Sequence, residues 1–351
     1  MTRYFISVGE ASGDLHAAPL IRELKSKDPN AQILGIAGPM MRQEGIDELL
    51  PMEHLQVMGF IEIALAFPRL YRIFQKVKST ILLTQVDIVI CVDYPGFHLK
   101  LAEKLRKEGF KGKIIQYVSP TVWAHGKNRI AKLEKHFDQL LCILPFEPAY
   151  FSKSSLKVNY VGHPLVEKLS HYSYDENWKI KCGIDLNKPI LALFPGSRPS
   201  EIKNHLAVMQ EAAKGWEGQV VISGKGGIPR EFTYELMRDC TAAIAKSGTV
   251  TLELALHHKP AVVIYRTSRI NRWIAKHILK LDKLPYFCLV NILANKELYP
   301  EFIRKEFTSE CLQKALFSLN THLIQNECRT LHESLGTYPS SKLAAEVISP
   351  C

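Results

Sequence analysis

Four short strings carry residue types able to do chemistry. The first, Gly9-Glu10-Ala11-Ser12-Gly13-Asp14, follows an apolar run and opens a helical pattern. Its glycines permit a tight turn, and the helix N-terminus beyond them offers unpaired N–H groups to an anion or a sugar, which makes Gly9, Ser12 and Gly13 candidate substrate-binding positions. The spacing is not the G-x-G-x-x-G of dinucleotide enzymes, which argues against NAD. Glu10 would repel a phosphate. It reads either as a hydrogen-bond acceptor or base, or as an acidic residue favoured by the helix dipole. The second string, Val92-Asp93-Tyr94-Pro95-Gly96-Phe97-His98, puts Asp93 at the carboxyl end of a buried strand, where ligands of open α/β sheets bind. A carboxylate there takes a proton from an attacking hydroxyl, or else caps the helix that begins near Pro95.

The other two strings lie in the second half. Phe194-Pro195-Gly196-Ser197-Arg198-Pro199-Ser200-Glu201-Ile202 reads as strand, tight turn and helix start. Ser197 and the amides after it suit a phosphate, and Arg198 offers a planar bidentate clamp. Lys246-Ser247-Gly248-Thr249-Val250-Thr251-Leu252-Glu253 repeats that geometry. Ser247, Gly248 and Thr249 form a second anion-ready helix start, and Glu253 is placed for ribose hydroxyls. Each turn alone serves equally as a mere cap. Together they suggest a diphosphate.

These strings need elements to position them, and apolar runs alternate with helical patterns throughout, as in repeated βα units on a parallel sheet. Strands are predicted at Tyr4–Val8, Ile33–Ala37, Ile88–Val92, Ile114–Val118, Leu140–Leu144 and Val158–Val161, with helices near 13–26, 69–83, 97–108, 127–137 and 146–154. The polar stretch Val161–Trp178 marks a domain boundary, giving domains 1–165 and 166–351. A second series follows, with strands Ile190–Phe194, Val220–Ser223, Ala242–Ala245 and Ala261–Tyr265, and helices near 199–214, 248–257 and 268–280. The last 40 residues read as helices only. The expected fold class is α/β, two Rossmann-like doubly wound parallel sheets facing a central cleft, with a helical C-terminus.

The 351 residues suffice for about two domains. At 46% hydrophobic and 23% charged, with 20 Gly and 19 Pro in no period, the chain is neither disordered nor collagen-like. The longest stretches free of Asp, Glu, Lys and Arg are 13 residues (29–41 and 114–126), short of the ~20 that span a bilayer. The start lacks an apolar signal-peptide core. Eight cysteines occur without a C-x-x-C, so buried reduced thiols are expected, with no metal site.

The net charge is +10, and residues 100–135 hold ten basic and three acidic residues of it. Such a patch faces an anion, either nucleic acid or lipid phosphate, or is a pair of solvated helix faces. The segment 57–78 is dense in apolar groups. Arg69, Arg72 and Lys76 share one side, and Leu70, Ile73, Phe74 and Val77 the other. That pattern fits a helix lying in a membrane interface, with Phe67, Leu70, Ile73 and Phe74 as contacts. It fits equally a helix packed on a sheet. With no RNA-binding aromatic box, zinc finger or helix-turn-helix evident, the pair of segments points to lipid and away from nucleic acid.

The strings GEASGD, GIAGPMM, VMGFIEI, VDYPGF, YVSPTVWA, LPFEPAYF, YVGHPL, PGSRPSEI, SGTVTLE and VNILANKELYPE occur in the order seen in the lipid-A-disaccharide synthase family. Over Ile6 to about Glu301 the chain resembles these GT-B glycosyltransferases of family 19. The resemblance implies an inverting, metal-free transfer that needs no cofactor. UDP-2,3-diacylglucosamine would be joined to 2,3-diacylglucosamine 1-phosphate, giving a β-1,6 disaccharide 1-phosphate and UDP for lipid A. It implies a cytoplasmic protein, peripheral on the inner face of the bacterial inner membrane, with the oligomeric state open and a homodimer one candidate.

By position, Asp93 matches the family's essential aspartate and is favoured over Glu10 as base. Arg198 matches the arginine near the phosphates, Glu10 the glutamate of the first turn, Glu253 the glutamate at UDP-ribose, and Asn291 the asparagine of the late motif, also expected to bind substrate. The sequence departs from the family at several points. Gly96 replaces a second Asp and His98 an Asn. Trp123-Ala124-His125 stands for W-A-W, Leu289-Val290-Asn291 for L-P-N, and the segment between Val221 and Ala243 is short. His98 is read as a solvated helix residue ahead of one compensating for the lost Asn. The alternatives are another GT-B nucleotide-sugar enzyme, such as a UDP-sugar epimerase or a different lipid-linked glycosyltransferase, and a degenerate lipid-binding module without chemistry. The presence of Glu10, Asp93, Arg198 and Glu253 weighs against the last.

Overall fold

A computed structural model describes residues 1–55, 60–123, 128–266, 284–303 and 307–349. Contacts divide the chain into two units, Met1–Glu167 with Thr337–Cys351, and Lys168–Gly336.

The first unit is built on seven parallel strands. They are β1 (Arg3–Ser7), β2 (Gln32–Ala37), β3 (Asp47–Pro51), β4 (Ile88–Val92), β5 (Lys113–Tyr117), β6 (Gln139–Cys142) and β7 (Lys157–Tyr160), in the order β3-β2-β1-β4-β5-β6-β7. All five residues of β4 and four of five in β1 are buried, as expected where helices cover both faces of a parallel sheet. Strand order reverses between β1 and β4, and the turns after these two strands therefore flank the switch point. The helices are α1 (Ala11–Lys27), α2 (Pro39–Gln43), α3 (Phe60–Leu83), α4 (Pro95–Lys107), α5 (Asn128–His136) and α6 (Pro164–Ser170), the last running across the boundary.

The second unit has five parallel strands, β8 (Ile190–Phe194), β9 (Gln219–Ile222), β10 (Ala242–Lys246), β11 (Ala261–Ile264) and β12 (Glu301–Phe302), in the order β12-β11-β10-β8-β9. Here the reversal falls between β8 and β10. The unit's helices are α7 (Trp178–Lys181), α8 (Pro199–Ala212), α9 (Thr233–Asp239), α10 (Thr249–Leu256), α11 (Leu289–Ala294), α12 (Ser309–Phe317) and α13 (Thr321–Leu335). Leu191, Leu193, Ile244, Val262 and Ile264 of the strands pack with Met209 and Ala212 of α8 and Leu312 and Leu316 of α12.

Several expectations differ from what is observed. The edge strands β3 (DELLP) and β12 (two residues) lack the apolar run that reveals an inner strand. The helix expected near 146–154 is a 3-10 turn, Glu147–Phe151, and the helix expected at 268–280 lies outside the described residues. The helical tail is divided. Its last helix, α14 (Ser340–Ile348), packs on α1 of the first unit and buries Ala344, Ala345 and Ile348. Ser341 N–H donates to Glu167 at 2.8 Å, and the Ser340 hydroxyl to the Gly162 carbonyl at 3.0 Å.

Candidate active site

In the first unit, the turns after β1 and β4 touch. A Cβ on Gly9 would collide with the ring of Tyr94, so only glycine lets the second turn approach the first. Glu10 is the exposed N-cap residue of α1, in extended conformation. Asp14 is structural. Its carboxylate accepts the N–H groups of Met40 (2.9 Å) and Met41 (3.0 Å) at the start of α2. Asp93 leaves β4 with a left-handed backbone, φ 52°, and Tyr94 follows at 47°. Residues held so cost on the order of 1–3 kcal/mol each, a strain typical of functional turns. Burial pushes the Asp93 carboxyl above the ordinary aspartate range, partly offset by hydrogen bonds from Tyr94 N–H and the Ser12 hydroxyl. A carboxylate in that state is a better base than a solvated one. The alternative role of Asp93 as a cap is not what is seen, because the N-cap of α4 is Tyr94.

His98 corrects the sequence reading. It is fully buried where a solvated helix position was expected, because α4 turns its first-turn face toward β1 and the Asp93 turn. Glu147 was not singled out at all. It is 2% exposed after β6, accepts Leu144 N–H at 3.1 Å, and burial raises its carboxyl to about 7.

In the second unit a pocket of about 270 Å³ opens at the carboxyl ends of β8 and β10. Its wall includes Ser197, Glu201, Arg230, Lys246, Gly248, Thr249 and Glu253. Gly196 (φ 117°) makes the turn after β8, and a Cβ there would strike Glu201. Glu201 organises this loop. Its carboxylate accepts Ser197 N–H at 3.1 Å and Arg198 N–H at 3.4 Å, and pairs with Lys246 at 3.0 Å. Burial opposes its charge, yet Lys246 and the amides prevail and hold its carboxyl below the ordinary range. Arg230 donates to the Ser197 carbonyl at 2.6 Å. Glu253 accepts the Tyr234 hydroxyl at 2.7 Å. Burial raises its carboxyl, with Tyr234 and Lys168 opposing.

The pocket thus brings together four of the candidate residues, Ser197, Gly248, Thr249 and Glu253, and adds two cations that the sequence reading did not assign. Lys246 had a signal, as the residue directly before the Ser247-Gly248 turn. Arg230, from the short stretch after β9, had none. Arg198 lies beside the pocket, with its guanidinium 3.6 Å from Glu201 and 46% exposed. Ser247 is tied to the sheet by its N–H on the Ile264 carbonyl at 2.8 Å. Asn291 is a correction. It is fully buried and its amide is saturated. Nδ2 donates to Tyr299 O (2.8 Å) and Glu301 (3.2 Å), and Oδ1 accepts Leu298 N–H (2.9 Å) and Tyr299 N–H (2.8 Å). With two donors and two lone pairs engaged, it braces a turn and has nothing to offer a substrate.

The interfacial segment also needs correction. The stripe proposed to meet lipid turns inward. Ile73 is 8% exposed, Val77 is fully buried, and Phe74 packs on Phe97 at 5.5 Å. Leu70 is half-buried, and of the four named contacts only Phe67 is exposed (61%), stacked at 6.3 Å on exposed Tyr71. Arg69, Arg72 and Lys76 share that outer side. In the basic stretch, Arg106 is structural. It donates to Phe110 O (3.0 Å), Gly112 O (2.9 Å) and His136 O (3.2 Å). Lys100, Lys104, Lys111, Lys113, Lys132 and Lys135 are exposed. Residues 56–59 and 124–127, with Ala124 and His125 of the family string, lie outside the described residues.

Comparison with known proteins gives a consistent answer. A family model described as lipid-A-disaccharide synthetase matches residues 4–221 and 227–343. The chain is 40% identical to the lipid-A-disaccharide synthase of Chlamydia pneumoniae, covering 96% of this chain and 60% of that protein. With the enzyme of that name from Trichlorobacter lovleyi it shares 32% identity, covering 88% and 85%. The chain therefore spans about 60% of the length of the chlamydial relatives it matches. Among solved structures it resembles the glycotransferase of kitacinnamycin (TM-score 0.64, 11% identity, 99% and 98% covered). It also resembles the UDP-GlcNAc 2-epimerase of Neisseria meningitidis (0.60, 13%, 99% and 98%) and Acinetobacter baumannii MurG (0.59, 13%, 99% and 99%). These structural likenesses establish the GT-B fold.

Proposed function

The chain belongs to the lipid-A-disaccharide synthetase family, and from that premise we propose that it is the inverting glycosyltransferase that joins UDP-2,3-diacylglucosamine to 2,3-diacylglucosamine 1-phosphate and releases UDP. The observation that carries the reading is the second-unit pocket. Two helix N-termini, Ser197, Lys246 and Arg230 converge on one space, with Glu253 in its wall. That is the donor set a nucleoside diphosphate requires.

The acceptor 6-hydroxyl attacks C1 of the donor sugar from the face opposite UDP, and Asp93 takes its proton. Glu10, exposed beside Asp93's turn, orients a sugar hydroxyl. As the C1–O bond breaks, charge grows on the diphosphate. Lys246, Ser197, Arg198, Arg230 and the amides at the starts of α8 and α10 hold that charge where it develops. Glu253 accepts ribose hydroxyls with the oxygen that Tyr234 leaves open. The protein works at a membrane surface, on the inner face of the bacterial inner membrane. There Phe67 and Tyr71 of α3 reach the interface, and the exposed lysines of 100–135 meet lipid phosphate.

The test is UDP release from purified protein given both diacylated substrates, with the lipid product identified by mass. A disaccharide 1-phosphate is expected. An epimerised UDP-sugar, or lipid binding without UDP release, would replace this reading with one of its rivals.

A further inference from the structure

His98 sits where nothing in the reaction above uses it, yet it is fully buried and both ring nitrogens are engaged. Nδ1 lies 2.7 Å from the Asp93 carbonyl and Nε2 2.9 Å from the Ser7 hydroxyl, which is itself fully buried. The carbonyl only accepts, so Nδ1 carries the proton, and burial pushes the ring down to about 4, so Nε2 is unprotonated and accepts from Ser7. The ring is thus neutral and has no lone pair or spare proton for a reactant.

The same Asp93 carbonyl receives a second buried donor, Gln116 Nε2 at 3.1 Å, and that amide also reaches the Val118 carbonyl at 3.1 Å. Asp93 N–H donates to the Tyr117 carbonyl at 2.8 Å. The bonds converge on left-handed backbone. Asp93 has φ 52°, Tyr94 47°, and Val118, at the end of the neighbouring strand, 70°. A β-branched residue there is a true outlier, and strain of this kind persists only where its surroundings over-determine it.

We propose that His98 and Gln116 are positioning residues that hold the Asp93–Tyr94 turn left-handed through the Asp93 carbonyl, and so aim the Asp93 carboxylate at Ser12 and the acceptor hydroxyl. The inference rests on the reading of Asp93 as the base. It also says which atom of His98 matters. Nδ1 acts on Asp93, and Nε2 with Ser7 only fixes the ring. A misplacement of about 1 Å at a reacting group costs on the order of 100-fold in rate.

Two substitutions separate the nitrogens, because an Asn amide overlies Nδ1 and a Gln amide overlies Nε2. H98N should keep kcat within about fivefold of wild type. H98Q should lose about 100-fold in kcat, with KM for both lipid substrates within twofold and an unchanged thermal midpoint. Q116M, which removes the second donor, should lose about tenfold in kcat alone and serves if H98Q does not fold. Equal activity of H98N and H98Q, or an H98Q defect confined to KM, overturns the proposal. Crystal structures read the geometry without activity. Asp93 and Tyr94 should stay at positive φ in H98N and leave it in H98Q; retention in H98Q sinks the positioning role. A fully active D93N beside a relaxed H98Q turn would sink the base assignment and leave the clamp standing.

Discussion

Asp93 and Glu147 in the first unit and Glu201 in the second are all carboxylates drawn out of water at the ends of parallel strands, yet their surroundings push them in opposite directions. Asp93 has Ser12 and Tyr94 N–H for company, Glu147 has Leu144 N–H, and for both burial prevails and raises the carboxyl. Glu201 is less deeply buried and has Lys246 at 3.0 Å and two loop amides, and ends below its ordinary range. Lys246 together with shallower burial gives Glu201 its outcome, whereas Lys168 does not overcome the deep burial of Glu253. A deeply buried carboxyl is poised to take a proton. Glu201 is a fixed anion that shapes a loop for other charges.

The largest expected effect tests the first kind of site. Asp93→Ala should lower kcat by about 1,000-fold, within the range typical of a lost general base, while UDP affinity stays within twofold. UDP release and calorimetric titration read the two quantities. An active variant would show that the raised carboxyl of Asp93 has no part in catalysis.

Glu147 tests whether burial alone sets the pattern. Its folded value of about 7 exceeds the ordinary 4.5, so the native state holds the proton while the unfolded chain has lost it. Stability from this residue is present below 4.5, falls as pH rises through 4.5 to 7, and stays lost above. At about 1.4 kcal/mol per unit the loss has a ceiling of about 3 kcal/mol. Glu147→Gln, which keeps an acceptor for Leu144 N–H, should therefore raise the thermal midpoint by several degrees at pH 8.5 and by nothing near pH 4.5. The same gain at both pH values would refute the protonation argument.

In the second unit, Lys246→Met should strip Glu201 of its nearer cation and the pocket of a phosphate donor. A charged hydrogen bond contributes about 2 kcal/mol, so UDP affinity should fall about 30-fold. Arg198→Ala should fall less, since that guanidinium is 46% exposed and outside the pocket wall. The reverse order would return the phosphate role to the residue picked from sequence.

That contrast bears on what a sequence makes legible. The turns after β1, β4, β8 and β10 were readable because each is a contiguous strand–turn–helix string, and the placement of Ser197, Gly248 and Asp93 at strand ends follows from local spacing. Arg230, Gln116 and the burial of His98 were not, because each acquires its meaning from residues far away in the chain: Arg230 from Ser197, Gln116 from Asp93, His98 from Ser7. Asn291 shows the converse. A recognisable motif position turned out to be a saturated brace. The edge strands β3 and β12 went unseen for want of apolar residues, and α3, expected as a helix, left its apolar face open between lipid and sheet, because periodicity marks such a face without saying what covers it.

The two faces of α3 supply the smallest expected effect and the sharpest use of that last point. Ile73 and Val77 are buried against the protein, so Ile73→Ser tests folding and says nothing about lipid. Phe67 and Tyr71 stand on the outer face beside Arg69 and Arg72. Two aromatic rings partly inserted at a head-group boundary contribute on the order of 1–2 kcal/mol by the apolar area they remove from water. The double variant Phe67→Ser, Tyr71→Ser should therefore bind phosphatidylglycerol vesicles about tenfold more weakly. It should turn over detergent-dispersed substrates at the wild-type rate, since neither residue is among the groups assigned to the reaction. Unchanged vesicle binding would remove α3 from the membrane reading and leave the exposed lysines of 100–135 as its sole support, a purely electrostatic attachment that salt alone should release.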